Sequence, residues 1–319
     1  MTTRRQFFFA AAGAAAVAKP ARLSSKERVD RALNGMRAPD RPPFSFWHHF
    51  GLEKEGPASH ARAIVAFHRQ FHTDLVKVMS DFPYPKSSGK WFELSVEKNP
   101  FPAQIHALEA IRDAIGAEAY FVETIFNPWN VAEKLSSPAE VQRLRQENPK
   151  ALAAALEVIA HSEANHARKA IDAGAAGVFL AIANAQPEFL SEEDYVKWSE
   201  PYDRLVLDAV KDAPLNILHL HGDHVYVNHF TRPWPARAIN YSVHGTGVPF
   251  LELRKTYKGT LLGGLDEKNF RTLDENELKT EWRRAQEQAG TRFILTPGCS
   301  VPNDSSDAEL NRLVAVLGA

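Results

Sequence analysis

The residues in this chain best suited to chemistry are two histidines separated by one residue and a single cysteine far downstream. His219 and His221 end a short apolar stretch at residues 216–221. Because side chains alternate along a strand, both imidazoles would lie on one face, where they could bind one metal ion. Cys299 follows another apolar stretch at residues 292–296. Two imidazoles and a thiolate make three metal ligands, and an open fourth position is typical of a catalytic rather than a structural site.

These residues also have other interpretations. His219 and His221 could be hydrogen-bonded polar residues at a strand end, and Cys299 could be a small buried apolar residue. Two histidines at this spacing on a strand also suit metal-assisted hydrolysis. The spacing therefore predicts a metal site but leaves its chemistry open.

The elements that must position these side chains follow from the apolar pattern. Eight short apolar stretches, most of them alternating with helical segments, predict a single (β/α)8 TIM barrel over residues 21–319. The runner-up is an open doubly wound sheet, but the chain has no Gly-rich dinucleotide turn or P-loop to support it. We place the strands at residues 42–47, 74–79, 119–126, 177–182, 216–221, 237–241, 259–265 and 292–296.

The helices of the predicted barrel are less even in length. Residues 137–173 are almost continuously helix-forming, with a break expected at Asn148-Pro149. Residues 192–211 read as one helix. The helices after the fifth and sixth predicted strands must be short, because little helix-forming sequence separates these strands.

In such a barrel the active site lies at the carboxyl ends of the strands, so polar residues there are candidates. The catalytic candidates at these strand ends are His48 after the first strand, and Asp81 and Tyr84 after the second. The substrate-binding candidates are Trp47, Lys77, Asn127, Asn240 and Asp266. Each has a structural alternative: Asp81 and Asp266 are also typical turn residues, and His48 can cap a strand.

The net charge of the chain bears on its binding partners, and the N-terminal segment bears on its cellular compartment. A formal net charge of -1 gives no footprint for nucleic acid or for a membrane surface. Arg4-Arg5 precedes an apolar run that reaches Ala18, which is typical of a twin-arginine export signal at residues 1–20. The run is too short to anchor the chain in a bilayer. We therefore predict export by the twin-arginine machinery to the periplasm; the alternative is an Ala-rich N-terminal helix of a cytoplasmic protein.

With these residues in place, the chain resembles the uroporphyrinogen decarboxylase superfamily. This superfamily includes zinc-dependent methyltransferases that move a methyl group between a corrinoid protein and a thiol. The resemblance covers most of the chain after the signal and implies the barrel, a small-molecule substrate and a homodimer. It is carried by residues 40–43, 74–79, 173–179, the stretch around His219, residues 263–266 and residues 296–302.

The methyltransferase branch looks like His-x-Cys-Gly at the fifth strand and Pro-Gly-Cys at the eighth. This chain has His219-Leu-His221-Gly222 and Pro297-Gly-Cys299, so a histidine replaces one cysteine. The resemblance implies zinc held by these His and Cys residues, and histidine is itself a good zinc ligand. A thiol substrate would fill the fourth position, and a partner protein would supply the corrinoid.

The decarboxylase branch is similar in placing an aspartate after the second strand, which Asp81 could match. The arginines that hold substrate carboxylates in that branch are absent, and Trp47 and His48 follow the first strand instead. The alternative function is a metal-free decarboxylase of a tetrapyrrole or another carboxylic acid, with Asp81 stabilising positive charge and His48 or His219 moving protons. A non-catalytic protein that binds a tetrapyrrole or corrinoid is a further alternative.

Overall fold

A computed structural model of the protein describes residues 22–80 and 82–317, with Glu53 described by its backbone only. The predicted signal segment at residues 1–20 and the catalytic candidate Asp81 lie outside the described residues.

One parallel sheet forms the centre of the fold. In the part of the chain that the structure describes, seven strands pair in the order in which they occur in the sequence, and nearly all of their residues are buried. They confirm the last seven predicted strands. The strands are β1 (Leu75–Val78), β2 (Tyr120–Phe126), β3 (Gly177–Ile182), β4 (Ile217–Leu220), β5 (Ala238–Tyr241), β6 (Thr260–Leu265) and β7 (Phe293–Pro297).

Same-face residues of all seven strands meet in a single apolar cluster, so the sheet is curved. Leu75 of β1, Phe179 of β3 and Ile294 of β7 belong to this cluster, although β1 and β7 are the two edges of the sheet. Trp47 joins them from the segment before β1. Strands buried on both faces explain the continuous apolar runs in the sequence.

The predicted first strand at residues 42–47 is wrong as a strand. Only an isolated parallel bridge between Phe44 and Leu295 forms there. Pro42 and Pro43 have no N–H group, so they cannot donate to a ladder. The segment nevertheless contacts both sheet edges, because the Ser45 N–H donates to the Leu295 carbonyl and the Asp74 N–H donates to the Phe44 carbonyl.

Helices cover the outside of the sheet. The predicted break at Asn148-Pro149 is confirmed, and the connections after β4 and β5 carry only short helices, as expected. The single helix predicted at residues 192–211 is wrong: it breaks at Ser199, just before Pro201. The helices are α1 (Ser25–Leu33), α2 (Pro57–Phe71), α3 (Pro102–Ile115), α4 (Pro128–Leu135), α5 (Pro138–Glu147), α6 (Pro149–Asp172), α7 (Glu192–Trp198), α8 (Glu200–Asp208), α9 (Val243–Thr246), α10 (Phe250–Leu253), α11 (Glu275–Ala289) and α12 (Asp307–Ala315), with 3₁₀ helices at Glu53–Glu55 and Val227–Thr231.

None of the helices within residues 22–80 and 82–317 is long and apolar enough to cross a membrane.

Candidate metal centre

His219, His221 and Cys299 converge at the carboxyl end of the sheet. His219 lies on β4, His221 follows this strand directly, and Cys299 comes two residues after β7. One potential ligand atom from each residue lies within 4.8 Å of the other two. Because β4 and β7 are not neighbours in the sheet, the turn after β7 must fold inward over the end of β5.

Gly298 makes this inward fold of the chain possible. A Cβ atom built on Gly298 would lie only 2.2 Å from the Ser242 Cα atom, which belongs to the backbone after β5. Only glycine lets two backbones approach so closely. The absence of a side chain at Gly298 therefore allows the following residue, Cys299, to reach His221.

Asn240 on β5 fixes the tautomer of His219. The Asn240 amide Nδ2 donates to the carbonyl oxygens of Leu262 and Pro297, at 3.3 and 3.1 Å, so the amide oxygen faces the other way. This oxygen lies 2.6 Å from His219 Nδ1, which must therefore carry the proton and donate. The lone pair of His219 is left on Nε2, the nitrogen that can bind a metal ion.

Cys299 and the two imidazoles shift one another's pKa values. His221 Nδ1 and Cys299 Sγ are 3.2 Å apart. Burial alone would raise the pKa of the Cys299 thiol, but hydrogen bonds and charge from His219 and His221 outweigh it and lower the pKa to about 4. Burial lowers the pKa of His219, whereas the hydrogen bond to Cys299 raises the pKa of His221. The thiolate is therefore present at neutral pH, as a metal ligand requires.

The triad fits a zinc ion in donor type and spacing. In a tetrahedral zinc site, ligand atoms lie about 3.3–3.7 Å from one another, given metal–ligand distances of about 2.0–2.3 Å. The 3.2 Å separation of His221 and Cys299 and the 4.8 Å limit for the whole triad come within about 1 Å of these values. Side-chain rotations that move the ligand atoms by about 1 Å would bring all three within bonding distance of one zinc ion.

Two of the predicted substrate-binding residues lie close to the triad. The Phe179 ring stacks on His219 with 4.9 Å between ring centroids, and Trp47 contacts the same phenyl ring at 5.4 Å. Lys77 Nζ lies 4.9 Å from the Phe179 centroid and 5.7 Å from that of Trp47. Trp47 and Lys77 therefore form part of the surroundings of His219 inside the curved sheet.

An open cleft of about 520 Å³ gives access to the triad from solvent. His221 and Cys299 lie on its wall together with charged side chains, including Asp223, Glu267 and Lys268. Lys268 and Asp223 form an ion pair at 2.7 Å. The cleft therefore carries charged side chains and is wide enough for a small substrate.

Sequence reasoning missed Glu267 beside this cleft. Its carboxylate is buried and accepts a hydrogen bond of 3.0 Å from the Gly298 N–H, and so supports the turn that carries Cys299. Its neighbour Asp266, a predicted substrate-binding residue, instead accepts bonds from the backbone N–H groups of Lys268 and Asn269. The polar pair after β6 was visible in the sequence, but which carboxylate faces the site was not.

The remaining candidates lie elsewhere. Asn127 is fully buried and donates to Asn184, Ser199 and Asp203, which gives it structural partners. The His48 ring packs against Phe50 and, on α2, against Phe67.

Tyr84 is buried against Phe101, and burial raises the pKa of its phenol to about 12. The catalytic roles of Asp81, His48 and Tyr84 stay predictions.

The curved parallel sheet, the outer helices and a site at the carboxyl ends of the strands define a TIM-barrel-like α/β protein. The family model of uroporphyrinogen decarboxylase (URO-D) matches residues 57–318, so the chain belongs to this family. A comparison with curated proteins gives no match.

Among solved structures, the fold is similar to that of a methyltransferase from Methanosarcina mazei. The TM-score is 0.73 at 17% identity, with 93% of this chain and 99% of that chain covered. A B12-independent methionine synthase from Shewanella sp. W3-18-1, in complex with selenomethionine, gives a TM-score of 0.56 at 13% identity over 86% of this chain and 91% of that one. A putative B12-independent methionine synthase from Listeria monocytogenes gives 0.54 at 12% identity over 88% and 96%. At these identities the likeness concerns the fold.

Proposed function

We propose that the protein is a metal-dependent enzyme that activates a small thiol for methyl transfer at His219, His221 and Cys299. The observation that carries this proposal is the convergence of two imidazoles and one thiolate within 4.8 Å at the carboxyl end of the sheet. Membership of the URO-D family and the methyltransferase folds among its structural neighbours support the same chemistry.

The three residues would hold zinc and leave its fourth position to the substrate. Zinc, when bound, would lower the pKa of the substrate thiol, so that its thiolate is the nucleophile at neutral pH. Asn240 keeps His219 Nε2 unprotonated. Phe179 and Trp47 limit water on the inner side of His219, while the cleft beside His221 admits the substrate.

The methyl donor in this proposal is a corrinoid carried by a partner protein. The corrinoid would supply the methyl group: the substrate sulfur would form a bond to the methyl carbon as the carbon–cobalt bond breaks, and cobalt would keep the electron pair of that bond. The thiol proton leaves to solvent before the transfer. The open cleft beside Cys299 is the side from which a partner could approach.

Two structural details belong to the same proposal. We infer that residues 43–45, although they form no regular strand, close the barrel, since they are hydrogen-bonded to Leu295 on one side and to Asp74 on the other. We also propose that the molecule functions as a homodimer, as the family resemblance suggests.

The test is the metal content of protein produced in zinc-replete medium. We expect about one zinc ion per chain in the wild type and loss of that ion in Cys299→Ser. His224→Ala is the matched control, because this exposed histidine lines the same cleft and pairs with Glu188 outside the triad. Metal-free wild type, or full metal in Cys299→Ser, would refute the metal site.

A second measurement separates the chemistries. Zinc-loaded protein should transfer the methyl group of free methylcobalamin to 2-mercaptoethanol, with loss of the methylcobalamin absorbance and with inhibition by chelator. Bound zinc without this transfer would leave the metal site standing and refute methyl transfer to a thiol. It would favour the hydrolytic alternative.

A further inference from the structure

A second cavity lies between the end of β2 and the helices α4 and α6, and none of the three triad residues lines it. It has a volume of about 250 Å³. Phe101 and Phe126 contribute aromatic walls, and Val131 and Leu135 contribute aliphatic ones. Because an apolar cavity of about 150 Å³ is large enough for benzene, this cavity can hold a molecule with one aromatic ring.

Two buried polar groups line the same cavity with hydrogen-bonding capacity to spare. Glu163 on α6 is 2% exposed and Tyr84 is 8% exposed. Within residues 22–80 and 82–317, neither the Oε2 atom of Glu163 nor the hydroxyl group of Tyr84 has a hydrogen-bond partner. A buried polar atom without a partner costs about 1–3 kcal/mol, which the polar group of a ligand would recover.

The acid nearest to Glu163 is already occupied elsewhere. The carboxylate of Glu123 accepts a hydrogen bond of 2.8 Å from the Gln104 amide, and His166 Nε2 lies 2.8 Å from its other oxygen. Glu123 therefore has its own partners, and of the two acids only Glu163 lines the cavity.

The hydroxyl group closest in sequence to Glu163 is occupied as well. The Ser162 hydroxyl donates to the Val158 carbonyl at 2.9 Å and accepts from the Glu97 N–H at 2.9 Å. Its single proton is therefore used within the protein, and Ser162 has none to donate to Tyr84.

Both lining groups are uncharged at neutral pH. Burial raises the pKa of Glu163 well above its ordinary value and the charge of Glu123 raises it further, while the charge of Lys134 opposes this shift without cancelling it. Burial raises the pKa of Tyr84 to about 12, so the phenol keeps its proton. Each group can therefore both donate and accept a hydrogen bond.

We propose that this cavity binds a small neutral phenol, whose ring packs against the apolar walls and whose hydroxyl group bonds to Glu163 and Tyr84. One hydroxyl both donates and accepts, so it can satisfy the two groups together. The aromatic walls suit an aromatic ring, because such rings attract one another edge to face. This inference stands apart from the proposed function, since it uses no residue of the triad and needs no metal ion.

The test compares two probes by titration calorimetry. Wild-type protein should bind 4-methylphenol about tenfold more tightly than toluene, which lacks the hydroxyl group, since tenfold corresponds to one net hydrogen bond of about 1.4 kcal/mol. Glu163→Leu and Tyr84→Phe should each reduce this preference, and the double variant should bind the two probes equally. Glu163→Gln should keep the preference, because the amide also donates and accepts.

Two controls keep the outcome decisive. Tyr84→Phe removes a single oxygen atom, so it should fold normally and bind toluene as the wild type does, which shows that the cavity is intact. Cys299→Ser should bind both probes as the wild type does. The proposal is overturned if the wild type shows no saturable binding of millimolar 4-methylphenol, if Tyr84→Phe and Glu163→Leu keep the full preference, or if Cys299→Ser loses binding, which would place the probe at the triad.

Discussion

At the scale of single residues, the proposed site depends on Asn240 as much as on the three ligands. Replacing Asn240 by Ala removes the acceptor that holds the proton on His219 Nδ1. Both tautomers of His219 then become accessible, and only one leaves Nε2 free for metal. We expect zinc affinity to fall roughly 10- to 100-fold, which competition with a chromophoric chelator would measure.

Asn216 is the matched control for this experiment. It is also a fully buried asparagine, one residue before β4, and it bonds to the Val178 N–H and to the Val210 carbonyl. Asn216→Ala should therefore lower stability comparably, by about 1–3 kcal/mol, without the loss of zinc affinity. Equal zinc affinity in the two variants would show that Asn240 does not orient His219.

At the scale of elements, the turn after β7 places Cys299 beside His221 only if this turn can approach the backbone after β5 closely. Gly298→Ala places a methyl group 2.2 Å from Ser242 Cα, so the turn must move. We expect loss of bound zinc in a protein that remains folded by circular dichroism.

Gly290→Ala separates the movement of this turn from a general loss of stability. Gly290 has a positive φ of 73°, and a Cβ built there meets nothing within 4 Å. This substitution should cost about 1–3 kcal/mol of backbone strain and leave the zinc content unchanged. Normal zinc content in Gly298→Ala would mean that the turn is not held in this position.

The break between α7 and α8 creates a buried polar network with a pH signature. Asp203 on α8 accepts from Tyr195 at 2.8 Å, from Ser199 at 3.2 Å and from Asn127 at 3.2 Å. Burial raises the pKa of Asp203 from 3.8 to about 7, although these hydrogen bonds oppose the shift. The folded state therefore keeps a proton that the unfolded chain has lost.

This difference predicts how stability depends on pH. Between about pH 4 and pH 7 the unfolded chain releases the Asp203 proton and the folded protein does not, so stability falls as pH rises, by up to roughly 4 kcal/mol. Above about pH 7 both states are ionised and the loss is complete. Urea unfolding of the wild type and of Asp203→Asn at several pH values would isolate this term, because the variant carries no charge there.

The exposed Asp208 on the same helix supplies the control, since Asp208→Asn removes a carboxylate that is solvated in both states. The free energy of unfolding of the wild type, relative to Asp203→Asn, should decrease from pH 4 to 7 and then level off. A difference that stays constant over this range would contradict a buried proton on Asp203.

At the scale of the whole molecule, the sequence predicted most of the sheet because burial on both faces leaves continuous apolar runs. It failed at residues 42–47, where two prolines remove the donors that a strand needs. It also failed at Ser199, where one proline ends a helix that propensity alone would continue. In both places proline, which lacks a backbone N–H group, decided the outcome against the apolar pattern.

The sequence likewise predicted part of the candidate site and missed the rest. Strand alternation was enough to place His219 and His221 on one side, and the apolar stretch before Cys299 placed the thiol at the same end. Glu267 could not be found in this way. Its role depends on which neighbours have already used their hydrogen-bonding groups, and this is a property of tertiary packing that no spacing in the sequence records.

The remaining prediction concerns the cellular compartment of the protein, which depends on the first residues of the chain. A twin-arginine signal is read by a receptor rather than inserted as an anchor, so we predict that Arg4 and Arg5 are required for export. In a bacterium with a twin-arginine pathway, the full chain should reach the periplasm in a shortened form, whereas the double variant Arg4→Lys, Arg5→Lys should stay in the cytoplasm at full length. Fractionation and mass spectrometry of the N-terminus would measure both properties. Equal cytoplasmic location and full length of the two proteins would show instead that this segment belongs to the mature chain, and zinc would then have to be acquired and used in the cytoplasm.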